Sequence, residues 1–255
     1  NYNSPLNAIF DNLEVSDSGG LGAKTPGLCF QAIGVNTSGI DIRNSRALNN
    51  ECNGFKGYMI DSATIVDNLT IVNSGNPVGT SNNDRAGLFL RSANWASQFH
   101  NISVTESPGT GIYLSKASLQ GHTWSATNNS GHGLYVDESH PDVADITVTN
   151  NGLNGLRVYD SSNVELYDLV SANNGNLAII PEQGVGLTFE KSNDAMSSTK
   201  NVSCTRCSST NDAWGGVRIE NSIDLQLHDL VVTDPGNSAM AVEIDNGALN
   251  FDGWV

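Results

Sequence analysis

Nine times along the chain a short polar turn rich in Asn and Gly runs into an apolar, alternating strand. The clearest copies are Gly133-Leu134-Tyr135-Val136, Gly155-Leu156-Arg157-Val158, Gly186-Leu187-Thr188-Phe189 and Gly216-Val217-Arg218-Ile219, with earlier ones at Gly87 and Gly111. From Gly87 the opening glycines step by 24, 22, 22, 31 and 30 residues. A second apolar pair follows each copy behind Asn or Asp, at Asn68-Leu69, Asn101-Ile102, Asp145-Ile146, Asp168-Leu169, Asn201-Val202 and Asp229-Leu230. A period in this range means stacked units, none of which can bury its apolar face alone.

Within a copy the alternation is that of a strand: Leu134 and Val136 share one face, Tyr135 and Asp137 the other. No stretch offers the apolar recurrence of a long amphipathic helix. Asn128-Asn129-Ser130-Gly131, Asn150-Asn151-Gly152 and Asn173-Asn174-Gly175 suit tight corners, because Asn and Gly tolerate left-handed backbone. Short strands at even spacing also fit an antiparallel sandwich. A sandwich does not need the same residue types at the same place in every repeat, which favours a solenoid wound once per repeat.

From about Ala8 to Val255 this pattern resembles the right-handed parallel β-helix proteins of the pectate-lyase-like superfamily. The resemblance implies an all-β, right-handed parallel β-helix of about ten coils, with residues 1–255 forming one domain. That superfamily holds polysaccharide lyases, galacturonan hydrolases, uronan epimerases, phage tailspike hydrolases and non-enzymatic surface stalks. A repeat pattern speaks for fold far more than for chemistry.

The balance of 12 basic and 27 acidic residues, a formal charge of −15, leaves no basic stripe to neutralise phosphates. Nucleic acid and anionic membrane surfaces are therefore not expected partners, and no run is long enough to insert in a membrane. The chain opens Asn1-Tyr2-Asn3-Ser4 without an initiator Met or a signal pattern, and Phe251 to Val255 read as a coil interrupted midway. We expect an extracellular piece (secreted, cell-surface or phage-borne) of a larger protein, its solenoid ends covered by neighbouring domains or by homo-oligomer contacts.

Four cysteines do not define a scaffold. Cys204 falls where other coils carry Val104 and Val148, which reads as a buried core thiol; a Cys204–Cys207 disulfide is the alternative in an oxidising compartment. Cys29 and Cys52 lie about one coil apart and could meet. Sequons at Asn36, Asn68, Asn101, Asn128 and Asn201 match what chance gives in so Asn- and Thr-rich a chain.

Stacking the copies on their glycine gives the candidate site. Residues one and three after it point inward, so two and four are expected to face solvent. Position two reads Phe89, Tyr113, Tyr135, Arg157, Thr188, Arg218; position four reads Arg91, Ser115, Asp137, Tyr159, Glu190, Glu220. The strand ends add Lys116, Glu138, Asp160 and Lys191. With rungs about 4.8 Å apart this makes one strip of aromatic and charged groups, suited to a polysaccharide or other glycan. Tyr113, Tyr135 and Tyr159 would stack on sugars, helped by Lys116, Glu138, Asp160 and Lys191. Asp137, Glu190, Glu220, Arg157 and Arg218 are the candidate catalytic groups. Solvent-facing strand positions also favour these residue types for propensity and cross-strand pairing alone.

Asp137 and Glu190 fall two coils apart, about 9.6 Å, which side chains can close to an inverting pair; Glu190 and Glu220, one coil apart, fit a retaining pair. A lyase would need a base from Arg157, Arg218 or Lys191, with Ca²⁺ or Arg neutralising the sugar carboxylate. No cofactor is firmly indicated; Ca²⁺ could sit among turn carboxylates such as Asp234. Gly131-His132-Gly133 resembles a short motif of galacturonan hydrolases, but Thr105 to Gly109 lack the aspartates that accompany it there. A non-catalytic structural or adhesive stalk remains the alternative function.

Overall fold

The computed structural model describes residues 8–17, 30–33, 40–58, 60, 64–76, 85–178, 183–191, 199–234, 241–245 and 249–254. Its strands form two sheets, and every strand pairing is parallel. The longer-stranded sheet holds β1 (Ala8–Asp11), β2 (Glu14–Ser16), β4 (Ile40–Leu48), β6 (Ile65–Val72), β8 (Gln98–Thr105), β10 (Ser118–Thr127), β12 (His140–Thr149), β14 (Ser162–Ala172), β16 (Lys200–Thr205), β17 (Ser208–Thr210), β19 (Ile223–Thr233) and β21 (Leu249–Trp254). The nine-stranded sheet holds β3 (Phe30–Ile33), β5 (Phe55–Tyr58), β7 (Leu88–Arg91), β9 (Ile112–Ser115), β11 (Leu134–Asp137), β13 (Leu156–Tyr159), β15 (Val185–Glu190), β18 (Gly215–Glu220) and β20 (Val242–Asp245). Successive coils contribute neighbouring strands to each sheet, which is the solenoid read from the repeat.

The inward alternation holds on every aligned coil. Leu134 and Val136, Leu156 and Val158, Leu187 and Phe189, and Val217 and Ile219 are each at most 1 % exposed and face the residues of the opposite sheet. The second apolar pair closes the same core, with Leu69, Ile102, Ile146 and Leu169 fully buried.

Left-handed residues make the corners. Asn73, Asn128, Asn150 and Asn173 sit at φ between 47° and 58° where the long strands end. Asn68, Asn101, Asp145, Asp168 and Asp229 bend those strands midway, with φ between 50° and 57°. Asn201 does not belong to that column: it pairs with Asn163, and Arg206, also left-handed, takes the place opposite Asp168. Cys204 is likewise opposite Leu166 rather than in the slot of Val148. The extra residues of this coil lie before the bend, which shifts a register counted from sequence alone.

The opening glycines serve close packing rather than left-handed backbone. A Cβ on Gly133 would stand 2.7 Å from Asn151 Nδ2, 2.7 Å from the Gly155 carbonyl oxygen and 2.8 Å from Val148 Cβ. Those neighbours belong to a buried amide ladder. Asn129 Nδ2 donates to Asn151 Oδ1 at 2.9 Å, Asn151 Nδ2 to Asn174 Oδ1 at 2.9 Å, and Asn174 Nδ2 to Asp212 Oδ1 at 2.8 Å. The ladder oxygens also accept the turn N–H groups of Asn129, Asn151 and Asn174, so the buried corner leaves few polar groups unpaired. Asp212 ends the run, and burial pushes its carboxyl up from the ordinary range against the Ser209 and Asn174 hydrogen bonds.

Both half-readings of the cysteines meet at one place. Cys204 and Cys207 are fully buried in the core and joined by a disulfide, so the free thiol is not what this coil carries. Each caps one side of the Arg206 bend, which brings the two side chains together. Cys52 is disulfide-bonded as well; Cys29 lies outside the described residues.

Candidate functional site

The expected strip exists as a face of the nine-stranded sheet, but much of it is closed to solvent. The register places Tyr113, Tyr135, Arg157, Thr188 and Arg218 in one column, and Ser115, Asp137, Tyr159, Glu190 and Glu220 in the next. Phe89 and Thr188 are fully buried, and Tyr113 and Tyr135 are each 7 % exposed. Ser115 and Glu190 are also buried, whereas Asp137, Tyr159, Arg157, Arg218 and Glu220 are half-buried. Solvent exposure was therefore the wrong inference, from a correct alternation, at Phe89, Tyr113, Ser115, Tyr135, Thr188 and Glu190, whereas Arg91 is exposed as expected. The rings face away from the core and bury one another.

They do so as a ladder. Tyr58 meets Phe89 edge-on at 5.5 Å, Phe89 meets Tyr113 at 5.3 Å, and Tyr113 stacks on Tyr135 at 4.8 Å with 6° between planes. The Arg157 guanidinium continues the stack, 5.0 Å from the Tyr135 ring and 5.2 Å from the Tyr159 ring. Parallel strands put identical positions one rung apart, so aromatics at position two must stack. A sugar cannot use faces already covered this way; Tyr113 and Tyr135 do not offer the open platforms expected of them.

The charged groups pair within the same face. Arg157 donates through Nε and Nη2 to Glu190 Oε1, and Tyr113 Oη donates to Asp137 Oδ2 at 2.8 Å. Arg218 lies 3.0 Å from Glu220 and 3.7 Å from Glu243, and Lys116 lies 3.2 Å from Glu138. An Arg157–Glu190 ion pair open to water would contribute under about 1 kcal/mol. With Glu190 buried and Arg157 mostly covered by two rings, it is instead a pair whose disruption leaves a carboxylate poorly solvated. Lys116, Glu138 and Asp160 occupy left-handed corners at φ 52°, 46° and 46°, at the rim of the strip. Lys191 follows them at the same strand end, its N–H donating to the Glu220 carbonyl.

Environment separates the groups chemically. Burial raises the Asp137 carboxyl above the ordinary carboxylate range, opposed by the Tyr113 hydrogen bond and reinforced by Glu138 and Asp160. Burial also raises the Tyr113 and Tyr135 phenols, so both stay protonated donors. For Arg157, burial works against the charge, but Glu190 and the surrounding tyrosines more than offset it and the guanidinium is held protonated. His132, noted in the sequence only within the Gly131-His132-Gly133 motif, was not among the candidate site residues. It lies under the strip, its ring 5.4 Å from Tyr135, with Nδ1 buried and without a hydrogen-bond partner. Burial, then the Arg157 charge, pushes its pKa down to about 3. The signal was available: Ala86, Thr110, His132, Asn154 and Val185 all precede the opening glycine, and all are buried.

Among the described residues no three His, Cys, Asp or Glu side chains converge as a metal site, and no helix is long and apolar enough to cross a membrane. Where the chain is longer than its repeat, residues 77–84, 179–182 (Pro181 and Glu182 among them, a candidate groove lip before the strand of Glu190) and 192–198 lie outside the described residues.

A family model described as the right handed beta helix region matches residues 86–253. The chain belongs to the right-handed β-helix family. Among solved structures, this β-helix is similar to the enzymatically active domain of tailspike protein 2 of bacteriophage CBA120, with a TM-score of 0.71, 13% identity, and 97% of this chain and 39% of that one covered. It is also similar to the A-module of a mannuronan C-5 epimerase of Azotobacter vinelandii (TM-score 0.56, 13% identity, 95% and 58% covered). Pectate lyase Pel9A is a third such structure (TM-score 0.57, 12% identity, 94% and 69% covered). The β-helix thus spans about two-fifths of the tailspike domain's length and under two-thirds of the epimerase module's. At such identities the likeness is one of fold. No curated protein matches the chain.

Proposed function

We propose that this β-helix is an extracellular or virion-borne carbohydrate-interacting domain whose glycan runs along the outer face of the nine-stranded sheet. Residues 1–255 would form one domain of a larger protein, with neighbouring domains or further copies covering the solenoid ends. The observation that carries the reading is the pairing of Asp137, with its raised carboxyl, and Glu190, two rungs away on the same column and held by Arg157. Two rungs place their backbones about 9.6 Å apart. Side chains leaning together from that distance fit an inverting hydrolysis, in which Asp137, its carboxyl raised by burial, gives a proton to the leaving oxygen and Glu190 draws one from water. Tyrosine hydroxyls and Arg157 would hold the sugar by hydrogen bonds from the ring edges. Lyase and epimerase chemistry is supported less well, since Arg157 holds its proton and both arginines already have carboxylate partners.

The test is a glycan array with a polysaccharide depolymerisation screen, with and without EDTA, on the parent and on Asp137→Asn and Glu190→Gln. Turnover lost in both variants with binding retained supports catalysis; retained turnover removes these residues from the chemistry. The second reading, a rigid non-catalytic stalk, is favoured by the self-packed aromatic ladder. Absence of binding to every glycan in parent and variants would establish it.

A further inference from the structure

The charges of the outer strip are unevenly placed, and their placement bears on the kind of glycan that can lie there. Of the chain's 12 basic residues, all but Lys24 fall among the described residues. Lys56, Arg91, Lys116, Arg157, Lys191 and Arg218 stand on the strands of the nine-stranded sheet or at their ends. Most of these cations are already engaged within the strip. Arg157 donates through Nε and Nη2 to Glu190, Arg218 lies 3.0 Å from Glu220 and 3.7 Å from Glu243, and Lys116 lies 3.2 Å from Glu138. The Lys56 ammonium lies over the rings of Tyr58 and Phe89, at 5.2 and 5.8 Å. Arg91 stands two rungs before Asp137 in its column, and Lys191 follows Asp160 at the strand ends. On the three rungs that carry the proposed chemistry, β11, β13 and β15 with their ends, two cations (Arg157 and Lys191) stand against four carboxylates (Asp137, Glu138, Asp160 and Glu190), a formal balance of −2. Burial is the largest cause of the raised Asp137 carboxyl, and the charges of Glu138 and Asp160 add to it.

A uronan carries a carboxylate on every sugar. Laid across rungs about 4.8 Å apart, it would bring those charges past Asp137, Glu138 and Asp160. Arg157 could meet one of them only by leaving Glu190, which is buried and would lose its partner. Like charges brought together reject a ligand, and a site discriminates through such contacts as much as through attractive ones. An uncharged sugar meets no such opposition. Its hydroxyls donate to carboxylate oxygens, which are acceptors with several lone pairs each, and accept from phenol and guanidinium groups.

We propose, resting on the glycan reading of this strip, that its ligand is an uncharged polysaccharide and not a uronan. The experiment offers the full chain a panel of polysaccharides in matched pairs, one member uncharged and the other carrying its primary alcohols oxidised to carboxylates. Binding is followed by affinity electrophoresis and cleavage by reducing ends, at low and at high salt. The uncharged member should bind or be cut, with the oxidised member ~tenfold weaker or worse at low salt. That gap should narrow at high salt, where the repulsion is screened, and in the double variant Glu138→Gln, Asp160→Asn, which removes two of the opposing charges. A uronate polymer that binds or is cut as well as its uncharged partner overturns the inference and leaves the glycan reading in place. A gap that neither salt nor the double variant narrows assigns the discrimination to shape and overturns the charge argument. Failure of every polymer in both forms removes the glycan reading itself, and this inference with it.

Discussion

His132 should make the fold acid-sensitive well above the pH at which its carboxylates protonate. Its ring is buried with Nδ1 unpartnered, and burial and the Arg157 charge depress its pKa from 6.5 to about 3. A depressed pKa contributes stability that is fully present above the unfolded value and is lost as pH falls through it towards the folded value. Each unit is worth ~1.36 kcal/mol, so the whole shift amounts to roughly 5 kcal/mol, exhausted near pH 3. Between pH 7.5 and 5 the loss from this group is about 2 kcal/mol. Asp137 and Asp212 act in the opposite sense, because their raised carboxyls favour the fold as they take up protons, so the net slope of the parent is smaller. Comparison with His132→Phe, which keeps a ring beside Tyr135 and cannot titrate, isolates the histidine. Urea unfolding followed by circular dichroism at pH 7.5, 6 and 5 should show the gap between parent and variant shift by about 2 kcal/mol in favour of the variant. Parallel pH profiles would refute the reasoning and mean that His132 finds a proton acceptor in the fold.

Two further substitutions probe the scaffold. Leu156→Ala removes a fully buried side chain from the middle of the stack and should cost about 2–5 kcal/mol in the same urea assay; a loss below about 1 kcal/mol would mean that the coils collapse into the cavity. Gly133→Ala puts a methyl 2.7 Å from both the Gly155 carbonyl oxygen and the Asn151 amide nitrogen and should cost about 1–3 kcal/mol. Gly152→Ala, which meets the Ser130 carbonyl at 2.3 Å, should behave likewise, and a neutral result at either site would dissociate the glycine repeat from close packing.

The fold was legible because the solenoid's constraints are one-dimensional. An apolar residue at positions one and three, a left-handed residue that is Asn at most ends of the long strands, and a glycine beside the amide ladder recur at fixed offsets in the sequence. The register failed at Asn201 and Cys204 because that coil has extra residues before its bend, and counting cannot say on which side they fall. For the site, alternation correctly put Tyr135, Arg157, Asp137 and Glu190 on one face. It could not give exposure, since facing away from the core equals facing water only for a lone strand. In a stack, each position two is roofed by the next, and large planar side chains close the column themselves. His132 stood in the sequence only inside a motif set aside for its missing aspartates, and the tripeptide alone does not show that its ring is buried beside Tyr135.

That self-burial changes what the strip can be. An exposed tyrosine column would bind by stacking, with affinity that any aromatic could supply. A packed ladder offers ring edges, phenol protons and the paired carboxylates, held in place by neighbours that cannot rotate independently. Tyr113 fixes Asp137, Tyr135 and Tyr159 both contact the Arg157 guanidinium, and Arg157 fixes Glu190. Each polar group is thus positioned by the rung before or after it, which is what preorganised chemistry requires of its supporting residues. The same linkage would stiffen a stalk, so rigidity alone does not separate the two functions. An exchange at Asp137 would. A stalk gains nothing from a carboxyl that burial raises, and a neutral asparagine could accept the Tyr113 hydrogen bond at lower desolvation cost. Asp137→Asn should therefore leave stability unchanged or slightly higher, and only a protein that works on its glycan should lose anything by the exchange.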